Sequence, residues 1–261
     1  MKKIMFRLLC VGMLMIILAM NVYCEEQSFS WYCKRNKTHN QPTVDVQMQD
    51  LEKYGLIWCD KEHRYMDDQD KIIYLTFDAG YENGNICKIL KILEKENVKA
   101  TFFVLDNLIY KNSELVQKMI DDGHVVANHT MKHKDMTKMH TIDEFEKELK
   151  DLEELYRQTF NAEMPRYFRP PEGKFNIDNL KWANELGYKT VMWSFAYADW
   201  DNGKQPSKDY AIKKILENLH NGEVMLLHPT STTNAEIMSE LIQKLKSEGF
   251  RFGTVEELCE K

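Results

Sequence analysis

From residue 71 onward the sequence repeats one unit, an apolar run of strand length followed by an amphipathic helical pattern. The helical pattern is clearest where Phe145, Leu149, Leu152 and Tyr156 fall on one face of a helix. Repeated strand–helix units predict a mostly parallel sheet with helices outside it. Six or seven units in a chain of this length favour a closed or nearly closed barrel. An open doubly wound sheet is the alternative architecture.

The apolar runs and the helical patterns give the expected boundaries of each element. Strands are expected at residues 72–78, 100–105, 124–129, 167–170, 190–196, 224–228 and 251–255. Helices are expected near residues 85–96, 113–122, 141–160, 176–186, 207–220 and 233–248. Thr141 and Glu144 predict a capping box at the start of the third helix. Glycines stand where helices should end, at Gly123, Gly187, Gly222 and Gly249.

The segment before the repeated units has a different character. Residues 1–24 begin with Lys2, Lys3 and Arg7 and continue with an apolar run, which predicts a signal peptide or an uncleaved anchor. Residues 25–70 are irregular and polar with scattered aromatic residues, so we expect an N-terminal extension that wraps around the main domain. Residues 71–261 form that domain. The protein is therefore expected to be exported, either secreted or held at the membrane by its N-terminus.

Charge and cysteine content exclude several classes of partner. The formal net charge is −6, and it becomes more negative once the basic leader is removed. This argues against nucleic acid as a partner. Mature cysteines are Cys33, Cys59, Cys87 and Cys259, and no two have the CxxC spacing of a thiolate metal site. A disulfide between Cys33 and Cys59 and buried free thiols both stay open as interpretations.

Ionisable side chains follow five of the predicted strands. In parallel α/β folds the carboxyl ends of the strands meet at one rim, where functional groups gather. Each of these side chains alone has an ordinary explanation, such as a loop cap or a core histidine. Together they form a set that a purely structural rim would not often collect: Asp78, His129, His133, Arg169, Asp199 and His228.

The residue types in this set suggest a division of labour. His129 and His133 are four residues apart, a spacing that puts two imidazoles on one side of a helical turn and can hold a metal. Arg169, held stiffly by two following prolines, can keep the Asp78 carboxylate ionised.

The remaining pair supplies a proton donor. Asp199 can orient His228 and stabilise its protonated form. A metal that activates water, an ionised carboxylate and a cationic histidine together predict metal-assisted hydrolysis of an amide.

Five motifs at the strand ends are similar to those of a known family. TFDAG, HTMKH, RPPEG, the DW of YADWD, and LLH occur in this order over about residues 70–258. The chain resembles the polysaccharide deacetylases of carbohydrate esterase family 4, the NodB homology group. The resemblance implies an α/β fold of the distorted (β/α)7 barrel type and N-deacetylation of N-acetyl sugars with a divalent metal.

The same resemblance implies a role for each motif residue. Asp78 is the expected base, positioned by Arg169, and His228 is the expected acid, assisted by Asp199. His129 and His133 are the expected metal ligands. Three further residues of these motifs are expected to contact substrate: Trp200, Pro170 and Gly173.

Three stretches resemble one subgroup more closely. SWYCKRNKTHNQP, FDAGYENG and SFAYADWD are similar to sequences of sporulation-type muramic acid deacetylases from spore-forming Gram-positive bacteria. That resemblance implies a peptidoglycan glycan strand as substrate, deacetylated at N-acetylmuramic acid after an N-acetylmuramoyl-L-alanine amidase has removed the peptide. The reaction is then a step to muramic δ-lactam in the spore cortex, on the extracytoplasmic, forespore–cortex side.

One position departs from the family pattern. The family has a second aspartate, a metal ligand, where this chain has Ala79. We therefore expect zinc or a similar divalent metal to be weakly held. Two alternatives stay open, a glycan-binding pseudo-deacetylase with a metal-deficient site and a deacetylase acting on N-acetylglucosamine. A serine hydrolase is disfavoured because the GxSxG elbow is missing from the sequence.

Overall fold

A computed structural model describes residues 27–260, and the predicted leader at residues 1–24 lies outside them. Its strands are β1 (Phe29–Ser30), β2 (Leu56–Ile57), β3 (Lys71–Ala79), β4 (Thr101–Val104), β5 (Val125–Asn128), β6 (Tyr167–Phe168), β7 (Lys174–Phe175), β8 (Lys189–Val191), β9 (Glu223–Leu227) and β10 (Phe250–Gly253). Its α-helices are α1 (Asn85–Lys95), α2 (Asp106–Lys111), α3 (Ser113–Asp121), α4 (Ile142–Phe160), α5 (Ile177–Glu185), α6 (Lys208–Leu216), α7 (Thr232–Ser247) and α8 (Val255–Cys259).

The main sheet is parallel and strongly curled. Its strand order is β10-β3-β4-β5-β6-β8-β2, and β9 pairs with the other edge of β3. The extended segment after β8 bridges to β9 through Phe195 and Met225, so the strands form an almost complete ring. The predicted distorted barrel is therefore confirmed, and the open doubly wound alternative is wrong.

Residue alternation along β3 separates two cores. Ile73, Leu75 and Phe77 belong to the large apolar cluster between the barrel and its helices, whereas Ile72 and Tyr74 belong to a cluster inside the barrel. Successive side chains of a strand point to opposite faces, so every second residue belongs to the same cluster. Continuing this alternation places Thr76 and Asp78 on the interior face, at the end of the strand.

The two ends of the barrel are not alike. At the amino ends of the strands, Val255 and Leu258 of α8 pack into the interior cluster with Ile72 and Val224. Apolar side chains therefore plug this end. The other end, at the carboxyl ends of the strands, carries the ionisable residues predicted from the sequence.

Several predicted boundaries need correction. The strand expected at 190–196 ends as β8 at Val191 because the chain then bends, and it contacts β9 again only near Phe195. The helix expected at 207–220 ends at Leu216. Gly222 is consequently not a helix cap. It has a φ of 72°, and a Cβ there would lie 2.6 Å from the carbonyl oxygens of Asp60 and His63.

At the level of single helices and helix caps, the sequence predictions were only partly correct. The sequence patterns missed the short helices α2 and α8. Thr141 caps α4 as predicted, by accepting a hydrogen bond from the backbone N–H of Glu144. The reciprocal bond of the capping box is displaced by one residue, because the Glu144 carboxylate accepts from the backbone N–H of His140.

The N-terminal extension contacts the barrel through specific hydrogen bonds. The Trp31 indole N–H donates to the carbonyl of Trp193 at 2.8 Å, and β1 pairs antiparallel with β7. Cys33 and Cys59 are free thiols here, with Cys59 buried and Cys33 half-buried, so the free-thiol interpretation describes this structure. Burial raises the pKa of Cys33 to about 12. Within residues 27–260 no helix has the length and apolar character of a membrane span.

Candidate active site

The structure brings the predicted ionisable residues to one rim of the barrel. Asp78 lies near the end of β3, His129 directly follows β5, and Arg169 directly follows β6. Asp199 lies in the loop after β8, and His228 directly follows β9. All these strands run parallel, so their carboxyl ends converge as expected from the fold.

Asp78 and Arg169 form a buried ion pair. Arg169 Nη1 donates to Asp78 Oδ1 at 2.9 Å. The arginine side chain is fully buried, and 11% of the aspartate side chain is exposed. A charge-assisted bond of this kind fixes the orientation of the carboxylate and leaves its other oxygen, Oδ2, on the side of His129.

Arg169 is itself held on several sides. Its Nε donates to the carbonyl of Val191 at 2.9 Å, and its Nη2 donates to Thr76 Oγ1 at 2.9 Å. Its guanidinium carbon lies 4.1 Å from the centre of the Phe103 ring. Sequence reasoning missed Thr76 and Phe103. The position of Thr76, two residues before Asp78 on the same face of the strand, was the available signal.

The environment keeps Asp78 ionised. Burial alone would raise the pKa of this carboxyl, but the electrostatic effects of the nearby His129 ring and of the Arg169 and His228 cations outweigh burial, and the pKa lies below its ordinary value. Because Arg169 is a permanent cation, the ionised form of Asp78 persists at neutral pH. An ionised carboxylate at the mouth of a site can accept a proton.

His129 and His133 lie close together, but not on a helical turn. Their ring centres are 5.2 Å apart, yet residues 129–133 are not helical. Thr130 and His133 adopt left-handed φ values of 73° and 55°, and the first is rare for a β-branched residue. The predicted helical spacing was therefore wrong, although the proximity of the two rings was right.

Side-chain hydrogen bonds stabilise this unusual turn. The Asn128 side chain accepts from the backbone N–H of Thr130 at 2.8 Å and donates to the carbonyl of Leu149 at 3.0 Å. The Thr130 hydroxyl accepts from the backbone N–H of His133 at 3.0 Å. These bonds hold the left-handed backbone in place and so fix the relative position of the two imidazoles.

The protonation of His129 follows from its contacts. Its Nδ1–H donates to the carbonyl of Arg169 at 2.8 Å, so Nε2 carries the lone pair. Burial lowers the pKa of His129 to about 4, and the ring is neutral at neutral pH. Nε2 lies 3.6 Å from Asp78 Oδ2, so two acceptor atoms face each other and leave space for a donor or a cation between them.

The ligand set for a metal at this rim is incomplete when compared with the family pattern. His129 and His133 supply two imidazoles, but Ala79 is buried in the outer apolar cluster and offers no ligand atom. In residues 27–260 no cluster of three His, Cys, Asp or Glu side chains has the geometry of a metal site. Catalytic zinc usually has three protein ligands.

Asp199 and His228 form the second ionisable pair of the site. Asp199 Oδ1 lies 2.7 Å from His228 Nδ1, and Oδ2 accepts from the backbone N–H of His228 at 2.8 Å. The side-chain amide of Asn234, at the start of α7, also donates to Oδ2 at 2.6 Å. The sequence carried no signal for Asn234. These bonds fix the ring, with Nε2 left to face the site.

Asp199 also sets the charge of His228. Burial would lower the pKa of the imidazole, but the hydrogen bond and the negative charge of Asp199 raise it above the ordinary value of 6.5. The charge of Asp78 contributes in the same direction, so the two ionisable pairs lie close enough to interact. A histidine of this kind carries a proton that it can donate.

The three expected substrate-contact residues are placed differently from one another. Trp200 is 60% exposed, and its ring centre lies 6.2 Å from that of His228. Pro170 and Gly173 are buried. Gly173 has a φ of 63°, and a Cβ there would lie 2.5 Å from the Trp193 ring, so packing within the protein accounts for this glycine.

Comparison with known proteins identifies the family. A family model described as polysaccharide deacetylase matches residues 66–191. Peptidoglycan-N-acetylmuramic acid deacetylase PdaA of Bacillus subtilis is 37% identical over 234 residues, which cover 89% of this chain and 86% of PdaA. This chain belongs to the polysaccharide deacetylase family. The resemblance inferred from the five motifs is thus confirmed.

Solved structures of family members agree with this assignment. The structure of Bacillus subtilis PdaA, a family 4 carbohydrate esterase, matches with a TM-score of 0.82 at 36% identity. The match covers 89% of this chain and 97% of that one. The (β/α)7-type deacetylase fold and the class of amide hydrolase are therefore confirmed at the level of the family. Family 4 deacetylases generally depend on a metal.

Two further relatives show how varied this family is. Peptidoglycan-N-acetylglucosamine deacetylase PgdA of Listeria monocytogenes is 34% identical over 189 residues, which cover 72% of this deacetylase and 39% of PgdA. A family 4 pseudoenzyme of Bacillus anthracis matches with a TM-score of 0.68 at 28% identity, covering 78% of this chain and 68% of that one. The family therefore contains enzymes that are named for different substrates, and it also contains a pseudoenzyme.

Proposed function

We propose that this protein removes the acetyl group from N-acetylmuramic acid in peptide-stripped peptidoglycan. The proposal rests on two ion pairs at one rim of the barrel, Asp78 with Arg169 and Asp199 with His228. One pair maintains a proton acceptor, and the other maintains a proton donor. Amide hydrolysis requires both groups on one substrate.

The proposed reaction uses these residues in sequence. The Asp78 carboxylate takes a proton from water, and the oxygen of that water attacks the acetamide carbonyl carbon. The resulting tetrahedral intermediate collapses as its C–N bond breaks. His228 gives its Nε2 proton to the departing nitrogen, so the products are acetate and a free amine on the sugar. Arg169 and Asp199 do not touch the reacting atoms and act by holding Asp78 and His228.

A divalent metal is part of the proposal, as a weakly held ion. His129 and His133 would hold it through their free ring nitrogens. When bound, such an ion polarises the carbonyl oxygen of the substrate. The missing third ligand at Ala79 supports weak and exchangeable binding, with zinc or a similar ion.

The substrate and the setting are inferred from relatives. PdaA is named for N-acetylmuramic acid, and this chain covers 86% of it. The subgroup sequences support a step to muramic δ-lactam in the spore cortex, after an amidase has removed the peptide. Peptidoglycan lies outside the cytoplasm, so the proposal places the enzyme there, secreted or anchored by residues 1–24.

The decisive experiment measures acetate released from stripped and intact peptidoglycan. The protein is treated with a chelator, and zinc, manganese or cobalt is then added back. We expect acetate from stripped strands, little from intact peptidoglycan, and loss of activity with the chelator. Mass spectrometry of the digested product identifies whether muramic acid or glucosamine carries the free amine. Free amines on glucosamine alone would favour the N-acetylglucosamine deacetylase alternative.

A second candidate function is glycan binding without hydrolysis. It is favoured by Ala79 and by the lack of a three-ligand cluster among the residues described. It predicts binding to stripped peptidoglycan and no acetate at any metal concentration. The intact Asp78, Arg169, Asp199 and His228 favour the active enzyme, because an inactive site has no need of both buried ion pairs.

A further inference from the structure

Two loops flank the proposed acid on either side. In the curled sheet β9 lies between β3 and the segment around Phe195, and His228 directly follows β9. Residues 80–84 leave the end of β3, and residues 196–207 follow the segment around Phe195. A link between these two loops therefore passes across the end of β9, beside His228.

Such a link exists in the structure. The Asn202 side-chain amide donates to the Tyr81 hydroxyl at 2.5 Å. Both residues are exposed, and the Tyr81 side chain is 45% exposed. Neither residue belongs to the ion pairs of the site, and the proposed chemistry makes no use of either.

Each loop is anchored independently of this link. In the first loop the Asn83 amide donates to the carbonyl of Thr230 at 2.8 Å, and the Glu82 carboxylate accepts from the backbone N–H of Ile86 at 3.0 Å. In the second loop the Gln205 amide donates to the carbonyls of Asp199 and Asp201, each at 2.9 Å. The Tyr81 ring is therefore held on a fixed frame rather than on a mobile tip.

The second exposed ring in this area is Trp200. It lies between Asp199 and the Asn202 link, and 60% of it is exposed beside His228. Large aromatic rings left in water at the edge of a site are typical of binding surfaces. The ligand that suits two such rings beside a polar rim is a pyranose, which has apolar C–H faces and hydroxyls around its edge.

We propose that Tyr81, positioned by Asn202, extends the substrate contact already expected at Trp200 into a sugar-binding subsite on the His228 side of the rim. This inference rests on the proposed function. The ligand of the subsite is a pyranose unit of the peptidoglycan strand, next to the unit that is deacetylated. The subsite therefore matters for a strand and not for a single sugar.

The first test measures binding, so that it does not depend on turnover. The full-length protein is sedimented with insoluble peptide-stripped peptidoglycan, and bound protein is measured over a range of glycan concentrations. We expect Tyr81→Ala to bind at least 10-fold more weakly than the wild type. Tyr81→Phe and Asn202→Ala keep the ring but break the link, so we expect a smaller loss, about 3-fold.

Tyr65→Ala is the matched control. Tyr65 is another exposed tyrosine, and its carbonyl accepts from Asn221, which also binds the start of β3 at Ile72. Six residues of strand, about 20 Å, separate Ile72 from Asp78. We expect Tyr65→Ala to bind as the wild type does. Thermal melts by circular dichroism confirm that each variant is folded.

The second test separates the subsite from the reaction. Acetate release is measured on stripped strands and on free N-acetylmuramic acid. We expect Tyr81→Ala and Asn202→Ala to raise KM for strands with kcat nearly unchanged, and to leave the rate on the single sugar unchanged. The subsite proposal would be overturned if Tyr81→Ala bound stripped peptidoglycan as tightly as the wild type does. It would also be overturned if the wild type did not bind stripped peptidoglycan. Binding as expected with no acetate from the wild type would overturn only the proposed reaction.

Discussion

Two buried carboxylates lie at opposite ends of the barrel and have opposite properties. Asp78 lies near the end of β3, whereas Glu223 begins β9 and pairs in register with Ile73, near the start of β3. The pKa of Asp78 is lowered. Burial raises the pKa of Glu223 well above its ordinary value, so Glu223 holds its proton more tightly than an exposed glutamate does.

The partners, not the depth of burial, explain this difference. Asp78 accepts a hydrogen bond from the permanently cationic Arg169 at 2.9 Å. Glu223 accepts one backbone N–H, from His220 at 3.2 Å, and its Oε1 has no hydrogen-bond partner in the described part of the chain. A cation within hydrogen-bonding distance thus decides which carboxylate stays ionised. The carboxylate with the lowered pKa is therefore the one suited to serve as a base at neutral pH.

The largest expected effect is the loss of activity when the ionised carboxylate is removed. We expect Asp78→Asn to lower kcat for acetate release by about 10²–10⁴-fold, because the amide cannot accept the proton. Glu223→Gln is the matched control at the other end of the barrel, and we expect its kcat to stay near the wild-type value. An active Asp78→Asn enzyme would show that Asp78 is not the base.

The second effect tests whether Arg169 keeps Asp78 ionised. Replacing Arg169 with Met leaves a buried carboxylate without its cation, which typically costs about 3–5 kcal/mol of stability. We expect a large loss in the free energy of unfolding by urea at pH 7. The double variant Arg169→Met with Asp78→Asn removes the orphaned charge and should recover part of that loss. A double variant no more stable than Arg169→Met alone would contradict the ion-pair explanation.

The fold and the pairing of Asp78 with Arg169 were largely predictable from the sequence, for a physical reason. Parallel strand–helix units bring the strand ends together whatever the details of the loops, so Asp78 and Arg169 had to lie on one rim. The turn at His129 and His133 was not predictable, because Asn128 and Thr130 hold left-handed backbone that no spacing rule describes.

Other parts depended on contacts between distant segments. Asn234 reaches Asp199 from a helix 35 positions later, and Asn202 reaches Tyr81 across 121 positions. The raised pKa of Glu223 was equally hidden, since an acidic residue at the start of a strand is usually exposed. Such contacts are set by loop conformation and packing, and the local pattern of residue types carries little information about them.

The third effect extends the comparison to the proton donor. Asp199 raises the pKa of His228 above 6.5, so His228 keeps its proton to higher pH than a free histidine does. We expect Asp199→Asn to lower that pKa and to move the alkaline limb of the pH–rate profile to lower pH. At pH 8 kcat should fall by roughly 10- to 100-fold, with a smaller loss at pH 6. A uniform loss at all pH values would indicate that Asp199 only orients the ring.

The smallest expected effect concerns stability at the other end of the barrel. A carboxyl whose pKa is raised in the folded state contributes stability that is present below its unfolded pKa of about 4.5 and is lost as pH rises. Glu223→Gln cannot titrate but retains an oxygen for the His220 N–H. We therefore expect the variant to gain on the order of 1 kcal/mol over the wild type between pH 5 and pH 8, measured by urea unfolding. The exposed control Glu240→Gln should show no such pH-dependent gain. A Glu223→Gln protein whose advantage did not grow with pH would mean that Glu223 is ionised in the folded state, and the contrast with Asp78 would then rest on position alone.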